Sequence, residues 1–367
     1  MATMKLVFDA RFTRLDHHDG ISRYGSNLLA ALMKITPVTA LIYDERQLKL
    51  LPPGVEYVKV GKPTSLRELF LPFKLNRLGA TVVYSPMQIM GTFGRRYKLI
   101  FTLHDMIYYK FPKAPTDLNL PSRLFWTAFH HAYWPGRLVL NSADVVATVS
   151  ETSKKEILAA HLTDRPVVVV YNAPPSLPDV KPAEVKPEIV FMGTLMPYKN
   201  SELLIRSLPL LPEYRLHLCG RATPDRIAAL TALSDRLGVT DRVKIWNGAT
   251  DAEYADILSR VTAAASASKA EGFGINVIEA MAVGVPFLGS DMEIFHEVGG
   301  DAALYFNSND PKDFASNVRR VENPDTRKKL IKLGYVQAAK FNWADSAQAL
   351  FEAVQELQKQ YDEVRPS

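Results

Sequence analysis

The chain has 367 residues, 47% of them hydrophobic and 23% charged, which is typical of a soluble globular protein and excludes a disordered or fibrous one. The single cysteine, Cys219, excludes an intrachain disulfide and a cysteine-based metal cluster. Residues 1–170 contain 22 Lys and Arg against 13 Asp and Glu, a net charge of +9, whereas residues 171–367 contain 22 against 26, a net charge of −4. The length and the uneven charge predict two domains with different partners.

The composition also bears on membrane contact and location. The longest uncharged run, Leu124–Gly136, is much shorter than the roughly 20 residues that a spanning helix needs. The apolar stretch after Lys5 is too short for a signal peptide, so we expect a cytoplasmic protein. Basic residues cluster at 62–77 and 95–98, which indicates either a solvated face or peripheral contact with anionic lipid at the inner face of the membrane. Nucleic acid is not an expected partner, because no nucleic-acid motif accompanies the charge.

In chain order, short runs of Val, Ile and Leu alternate with stretches of helical period. Leu6–Asp9 is predicted to be a strand, and a polar loop and a helix over Ser22–Met33 follow it. The aromatic-rich segment Leu118–Leu140 is predicted to be a core or cleft-lining helix, with a membrane anchor as the alternative. Runs of this composition are typical of parallel sheets that are covered on both faces. Further strands are predicted at Val38–Tyr43, Val55–Val60, Val82–Tyr84, Leu99–Leu103, Val145–Val149 and Val167–Val170.

Residues 173–187 contain five prolines and no apolar periodicity, which predicts an interdomain linker. The alternation then restarts, and Thr326–Gln358 is predicted to be mostly helical. We therefore predict two doubly wound α/β domains, at 1–172 and 188–345, with a C-terminal helix at 346–367. Strands of the second domain are predicted at Ile189–Met192, Leu216–Leu218, Val243–Trp246, Val261–Ala265 and Pro286–Gly289, with helices at Ser201–Leu208 and Pro224–Leu237.

Residues 268–286 read SKAEGFGINVIEAMAVGVP and hold Glu271 and Glu279 with seven residues between them. A helix is predicted to begin near Gly274, where glycines allow close backbone approach and the helix amides form a site suited to a diphosphate. Eight helical residues rise roughly 12 Å, the scale of a sugar nucleotide, so one carboxylate can accept from a hexose and the other from a ribose. The alternative is that Glu271 flanks the helix start and Glu279 is a solvated helix residue.

The stretch EGFGINVIEAMAVGVP resembles the signature of retaining family-4 glycosyltransferases of the GT-B fold. The resemblance covers most of the chain, although residues 44–98 match only loosely. It implies two Rossmann-like doubly wound domains that face a central cleft, with the acceptor in the N-terminal domain and the nucleotide sugar in the C-terminal domain. Other segments resemble the family's landmarks in the expected order: GISRYGSNLLAAL at 20–32, TLHDMIYYKFP at 102–112, ADVVATVSETSKKEI at 143–157, VVYNAPP at 169–175, FMGTLMPYKN at 191–200 and FNWADSAQALFEAV at 341–354.

The resemblance implies roles for the residues at matching positions. Glu279 would bind the nucleotide ribose, and Glu271 would hold the transferred sugar. The amides of Gly272, Phe273 and Gly274 would surround the sugar and the phosphate.

Three further residues would act near the reacting bond. Lys199 would neutralise the diphosphate leaving group, where a fixed cation stabilises the transition state most. His104 would face the transferred sugar or the acceptor, and Gly20 would lie near the phosphates. Without the family, Lys199 is interpreted as a surface lysine and His104 as a structural histidine.

The sequence departs from the family at two positions. Many members of the family carry arginine at the position of Thr194, and a subset of them also carry arginine at the position of Tyr198. Lys199 is therefore left as the clear cation of this segment. Arg221 is the candidate for a second cation near the donor, and backbone contacts near Gly248 and Arg221 are expected to select the base.

The resemblance implies a retaining hexosyltransferase that moves a hexose from a nucleotide diphosphate sugar to a saccharide or lipid-linked acceptor in polysaccharide biosynthesis. The variant GTLMPYKN favours mannose, and GDP-mannose over a UDP-sugar. No metal or other cofactor is implied, and the sequence has no apolar-flanked Asp-x-Asp and no H-E-x-x-H. The alternatives are a non-catalytic sugar-nucleotide or glycan-binding subunit and a GT-B-like sugar-nucleotide epimerase.

Overall fold

The computed structural model describes residues 4–112, 120–174 and 183–364. The chain divides into two compact units. The first takes the residues up to Asn172 together with those from Asn342 onward, and the second takes Ala173–Phe341. Each unit has one parallel sheet with helices connecting its strands, which confirms the predicted α/β class.

The first unit contains a seven-stranded parallel sheet in the order β3-β2-β1-β4-β5-β6-β7. The strand order reverses between β1 and β4, which makes that edge the topological switch point of the sheet. The strands are β1 Leu6–Asp9, β2 Val38–Ile42, β3 Glu56–Lys59, β4 Val82–Ser85, β5 Lys98–Thr102, β6 Val145–Thr148 and β7 Val167–Val169. The first six helices are α1 Gly20–Leu32, α2 Leu71–Leu78, α3 Ile107–Lys110, α4 Leu120–His130, α5 Tyr133–Asn141 and α6 Glu151–Ala159.

Local sequence explains several of these strands and helices. Every residue of β1 and β4 is buried, as expected for apolar strands in the middle of a parallel sheet. Helix α1 begins at Gly20, two residues before the predicted start, because the Asp19 carboxylate caps it by accepting from the Ser22 amide at 2.9 Å. The predicted segment Leu118–Leu140 begins outside the described residues, and from Leu120 onward it forms two separate helices, α4 and α5, with Trp134 and Leu138 exposed.

The second unit contains a six-stranded parallel sheet in the order β10-β9-β8-β11-β12-β13. Its switch point lies between β8 and β11. The strands are β8 Lys186–Phe191, β9 Arg215–Leu218, β10 Val243–Ile245, β11 Val261–Ser266, β12 Phe287–Ser290 and β13 Ala303–Phe306. The helices are α7 Ser201–Ser207, α8 Pro224–Arg236, α9 Asp251–Leu258, α10 Ile275–Ala282, α11 Glu293–Gly299, α12 Pro311–Glu322 and α13 Pro324–Ala338.

Two segments near the unit boundaries differ from their predicted bounds. Strand β8 begins at Lys186, within the predicted 173–187 linker, and residues 175–182 of that segment lie outside the described residues. The predicted helical stretch Thr326–Gln358 is divided into α13 and a last helix, α14 Trp343–Val364. Helix α14 packs against α1 and so belongs to the first unit.

A buried ion cluster lies at the carboxyl end of β1, where the sequence analysis expects none. Arg11 is 2% exposed, and its Nε and Nη2 donate to the two carboxylate oxygens of Asp9 at 2.7 and 2.8 Å. Its Nη1 donates to Glu68, in the 3-10 helix Leu66–Phe70, and to the Gly61 carbonyl at 3.2 Å. Burial opposes the charge of Arg11, but Asp9 and Glu68 together hold its pKa above the usual range. The cluster therefore connects β1 to the segment that precedes α2.

Candidate functional site

Four loops of the second unit lie at the carboxyl edge of its sheet, because the strands that precede them are neighbouring and parallel. These loops follow β8, β9, β10 and β11, and they carry Lys199, Arg221, Gly248 and Glu271 respectively. Ligands of doubly wound sheets bind beyond this edge, at the switch point between β8 and β11. The sequence-predicted residues of this unit therefore converge on the expected location.

Lys199 and Glu271 form an ion pair across the switch point. Lys199 Nζ lies 2.6 Å from Glu271 Oε1, and the two side chains are 13% and 9% exposed. Ser268 Oγ donates to the same Glu271 oxygen at 2.8 Å. Charge-assisted hydrogen bonds of this length fix both partners. Lys199 is thus not a solvent-exposed surface lysine, as it would be interpreted without the family resemblance.

The backbone around Lys199 is tied to the Glu271 loop by its neighbours. Asn200 follows the 3-10 turn Pro197–Lys199 with a left-handed φ of +53°, a conformation that asparagine tolerates. Its side-chain nitrogen donates to the carbonyls of Ala267 and Ser308 at 3.2 and 2.7 Å. The Lys269 amide donates to the Tyr198 carbonyl at 2.8 Å. Asn200 is not among the residues predicted from the sequence, although an asparagine directly after the lysine indicates a left-handed backbone conformation there.

The glycine-bearing loop leads into α10 as predicted. Gly274 immediately precedes the helix with a φ of +83°, and a methyl group there would lie 2.9 Å from the Phe295 ring. Phe273 is buried, with its ring edge-on to Phe341 at 5.4 Å between centroids. Because Gly274 has no side chain to cap the helix, the N-terminus of α10 keeps the geometry of an anion site beside Gly272.

Glu279 lies in the second turn of α10 and is only 8% exposed. The alternative of a solvated helix residue is therefore wrong. One turn earlier, Asn276 Nδ2 donates to the Met192 carbonyl at 3.3 Å, which joins α10 to the loop after β8. A glutamate is rarely buried on a helix without a specific partner or ligand.

Arg221 and Gly248 are neighbours at the adjacent part of the same edge. Gly248 has a φ of +105°, and a methyl group there would lie 2.8 Å from Arg221 Cγ. Arg221 follows a close backbone approach, because a methyl group on Gly220 would lie 1.4 Å from the Gly193 carbonyl oxygen. Gly193 itself has a φ of +144°, a conformation that glycine adopts readily, and it is not among the residues predicted from the sequence.

His104 and Gly20 belong to the first unit, whereas all the other predicted site residues belong to the second. His104 follows β5, and its Nε2 donates to the Pro86 carbonyl at 2.8 Å. Burial lowers the pKa of His104, and the bond to Pro86 opposes that shift. The neighbouring Asp105 fixes the loop, because its carboxylate accepts from the Ile107 amide at 2.8 Å. The Pro86 bond gives His104 a structural role, and its contact with a sugar stays a prediction.

Gly20 is exposed at the start of α1. A methyl group built there would have no atom within 4 Å, so the packing of the protein itself does not require glycine at this position. The predicted proximity to phosphates is a separate reason for glycine, which a substitution can test.

Three further observations concern metal binding, the single cysteine and membrane crossing. Among the described residues, no group of three or more His, Cys, Asp and Glu side chains is placed to hold a metal ion, and metal independence stays a prediction. Cys219 is buried, and burial raises the pKa of its thiol to about 12, which is typical of a structural cysteine and not of a reactive thiol. In the same described ranges, no helix has both the length and the apolar character that crossing a membrane demands.

Comparison with known proteins agrees with this geometry. The structure of Anabaena Alr3699/HepE in complex with UDP-glucose matches with a TM-score of 0.73 and 16% identity, covering 96% of this chain and 100% of that one. The two parallel sheets, together with this structural match, show that the chain has the GT-B fold. Residues 176–337 match the family Glycosyl transferases group 1, so the chain carries a glycosyl transferases group 1 domain.

Two relatives with assigned activities also match much of the chain. The chain is 28% identical to the O-antigen chain mannosyltransferase RfbU of Salmonella typhimurium over 318 residues, which cover 83% of this chain and 88% of the relative. It is 26% identical to the O-antigen chain mannosyltransferase B of Escherichia coli over 270 residues, which cover 68% of each chain. The resemblance noted in the sequence is thereby confirmed for the glycosyl transferases group 1 domain at 176–337 and for the GT-B fold.

Proposed function

We propose that this protein is a retaining glycosyltransferase that moves a hexose, with mannose favoured, from a nucleotide diphosphate sugar to a hydroxyl of a saccharide or lipid-linked acceptor. The observation that carries the proposal is the enclosed Lys199–Glu271 pair beside the start of α10 at the switch point. The names of the two mannosyltransferase relatives support mannose. The similar structure that holds UDP-glucose supports a nucleotide sugar as donor.

The geometry of the second unit suits the two ends of such a donor. The N-terminus of α10 would bind the diphosphate, and Glu279 would accept from the ribose hydroxyls. Lys199 Nζ and Glu271 Oε1 are 2.6 Å apart, so a group at the lysine and a group at the glutamate must be adjacent in the ligand. The phosphate and the hexose of a sugar nucleotide are adjacent in this way.

The proposed reaction balances without a protein nucleophile. The bond between the anomeric carbon and the donor phosphate oxygen breaks, and the acceptor oxygen bonds to that carbon on the same face. The proton of the acceptor hydroxyl passes to the departing phosphate oxygen, so no side chain serves as general base. Lys199 would stabilise the charge that grows on the diphosphate.

The proposal also covers the donor, the acceptor and the location of the enzyme. GDP-mannose is favoured over a UDP-sugar, with Arg221 and Gly248 near the base. The acceptor would bind the first unit, whose excess of basic residues suits an anionic lipid-linked saccharide. The protein would act in the cytoplasm, in peripheral contact with the membrane, and without a metal.

A thermal-shift panel of GDP, UDP, ADP and their sugar conjugates tests the donor site. Selective binding raises the melting temperature by mass action. We expect one nucleotide to stabilise the wild type and the control Lys329→Ala, an exposed site on α13, and to have little effect on Glu279→Ala. Absence of any nucleotide effect on the wild type would contradict the proposed donor site.

A transfer assay with the selected donor then tests the reaction. Proton NMR of the product should show a glycoside with the anomeric configuration of the donor. A product with the opposite configuration contradicts retention. Conversion of the donor to an isomer without glycoside indicates the epimerase, and donor binding without turnover across acceptors indicates the non-catalytic subunit.

A further inference from the structure

The first unit has an unusual exposed surface, which we call the basic–apolar surface. It consists of residues 65–78, which include the 3-10 helix Leu66–Phe70 and α2, together with the loop 91–96. Single exposed apolar residues are ordinary, but several large ones on touching segments mark an interaction site. Four large apolar side chains are mostly exposed here: Leu66 at 85%, Leu69 at 63%, Phe70 at 69% and Phe93 at 82%.

The two segments form one surface because they are held together by close contacts. A methyl group on Gly91 would lie 2.1 Å from the Glu68 carbonyl oxygen, so the loop backbone lies directly against the 3-10 helix. Asn76 of α2 donates to the Gly94 carbonyl at 2.9 Å and accepts from the Arg96 amide at 2.8 Å. The Phe73 ring lies beneath Gly94, 2.9 Å from the position of a methyl group there. The apolar side chains are thus presented on a fixed framework.

The charge on this surface is of one sign. Residues 62–98 contain seven Lys and Arg but a single acidic residue, Glu68. The Glu68 carboxylate is 14% exposed and turns inward, where it accepts from Arg11 and from the Gly91 amide at 3.3 Å. Arg67, Arg77 and Arg96 are exposed, and among the described residues no carboxylate lies within ion-pair distance of them. The inward turn of Glu68 therefore leaves the outer face purely cationic.

We propose that the basic–apolar surface docks on an anionic lipid bilayer. Guanidinium groups between protruding leucine and phenylalanine side chains match the interface of such a bilayer, where phosphates lie above the acyl chains. Arg67, Arg77 and Arg96 contact the lipid phosphates, and Leu66, Phe70 and Phe93 enter the boundary between headgroups and acyl chains. The inference deepens the membrane contact of the proposed function, but it rests on this surface and not on the donor site.

Co-sedimentation of the full chain with vesicles tests the proposal. Phosphatidylcholine vesicles with and without phosphatidylglycerol are compared at low and high salt. We expect binding only with phosphatidylglycerol, weakened by salt because screening shortens the range of the attraction. The triple variant R67A/R77A/R96A should lower the partition coefficient by on the order of a hundredfold. The triple variant L66S/F70S/F93S should also bind weakly, even at low salt.

The control K328A/K329A/K332A removes the same number of positive charges from exposed positions on α13 of the second unit. It should keep wild-type vesicle binding, and equal loss in this control would show a nonspecific charge effect and overturn the proposal. The proposal is also overturned if the wild type does not bind vesicles, or binds them equally well without phosphatidylglycerol.

Light scattering of the wild type and of the apolar triple variant tests self-association. A wild-type dimer that this variant abolishes would assign the surface to a second copy of the chain and overturn the proposal. Nucleotide thermal shifts on every variant report donor binding separately.

Discussion

Lys199 Nζ donates to Glu271 Oε1 at 2.6 Å, and the bond joins loops that follow two neighbouring strands although the residues are 72 positions apart in sequence. The pair is largely shielded from water, so each charge depends on the other for its solvation. Glu271 therefore holds the lysine in a fixed position without any ligand, and if the donor binds as proposed, no rearrangement of Lys199 is needed. This arrangement couples the stability of the second unit to its proposed chemistry.

We predict that Lys199→Met and Glu271→Gln each lower the free energy of unfolding of the second unit by about 3 kcal/mol, because each leaves a mostly buried charge without its partner. The double variant should cost less than the sum of the two single variants. Each single variant should lower kcat about a hundredfold or more, because the transition-state contact is lost. Urea unfolding and initial-rate kinetics measure both effects.

The exposed lysine variant Lys329→Ala serves as a control and should change neither quantity. Additive stabilities in the double variant would show that the two charges do not interact. Unchanged kcat in Lys199→Met would remove the lysine from the mechanism while leaving its structural role.

Gly20→Ala separates a ligand effect from a packing effect. The protein offers open space at this position, and alanine suits a helix better than glycine, so stability should be unchanged or rise by up to about 1 kcal/mol. If phosphates approach Gly20 as the resemblance implies, the KM for the donor should rise markedly. Gly274→Ala is the contrasting variant, because its positive φ and the Phe295 ring predict a loss of stability. A KM unaltered by Gly20→Ala would mean that the donor does not come close to Gly20.

Arg11→Met should destabilise the first unit by about 3–5 kcal/mol. The substitution leaves the Asp9 carboxylate, which is fully buried, without its guanidinium partner. Lys59→Ala, which removes an exposed ion pair with Glu45, is the matched control and should have an effect close to zero. Chemical unfolding followed by tryptophan fluorescence measures the difference, and equal effects of the two variants would contradict the buried cluster.

His104 should make the first unit less stable at mildly acidic pH. Burial lowers its pKa in the folded state, so the unfolded chain takes up a proton first as the pH falls below about 6.5. Its contribution is therefore fully present above that pH and is lost below it, by at most about 1.4 kcal/mol per pH unit. His104→Gln, which keeps a donor for Pro86, should show a smaller loss of stability between pH 7.5 and 5.5. Parallel losses in both proteins would exclude a buried neutral histidine.

Sequence patterns predict the α/β class because strands such as β1 and β11 are short apolar runs separated by amphipathic helices. The same patterns place Lys199 and Glu271 in loops that follow predicted strands. What a linear pattern cannot show is which loop ends meet, so the 2.6 Å contact between these two residues requires the sheet order β8-β11. The burial of Glu279 cannot be predicted from local sequence either, because its position in α10 fits a solvent-exposed helix residue equally well.

Other differences arise where tertiary packing overrides local preference. A sequence rule would place Arg11 outside, but the Asp9 and Glu68 carboxylates hold it in the interior. The helical pattern over Thr326–Gln358 does not reveal that the chain leaves one unit at Phe341 and enters the other at Asn342. Only the contacts of α14 with α1 decide that assignment.

The return of α14 to the first unit separates the order of synthesis from the order of folding. A ribosome delivers β1 to β7 first, then the whole second unit, and α14 after both. The second unit is continuous in sequence and can complete its core as soon as it emerges. The first unit must wait, with the α14-facing side of α1 uncovered, until translation of residues 343–364 ends. An unfinished or clipped chain should therefore retain a folded second unit, while its first unit is prone to aggregation.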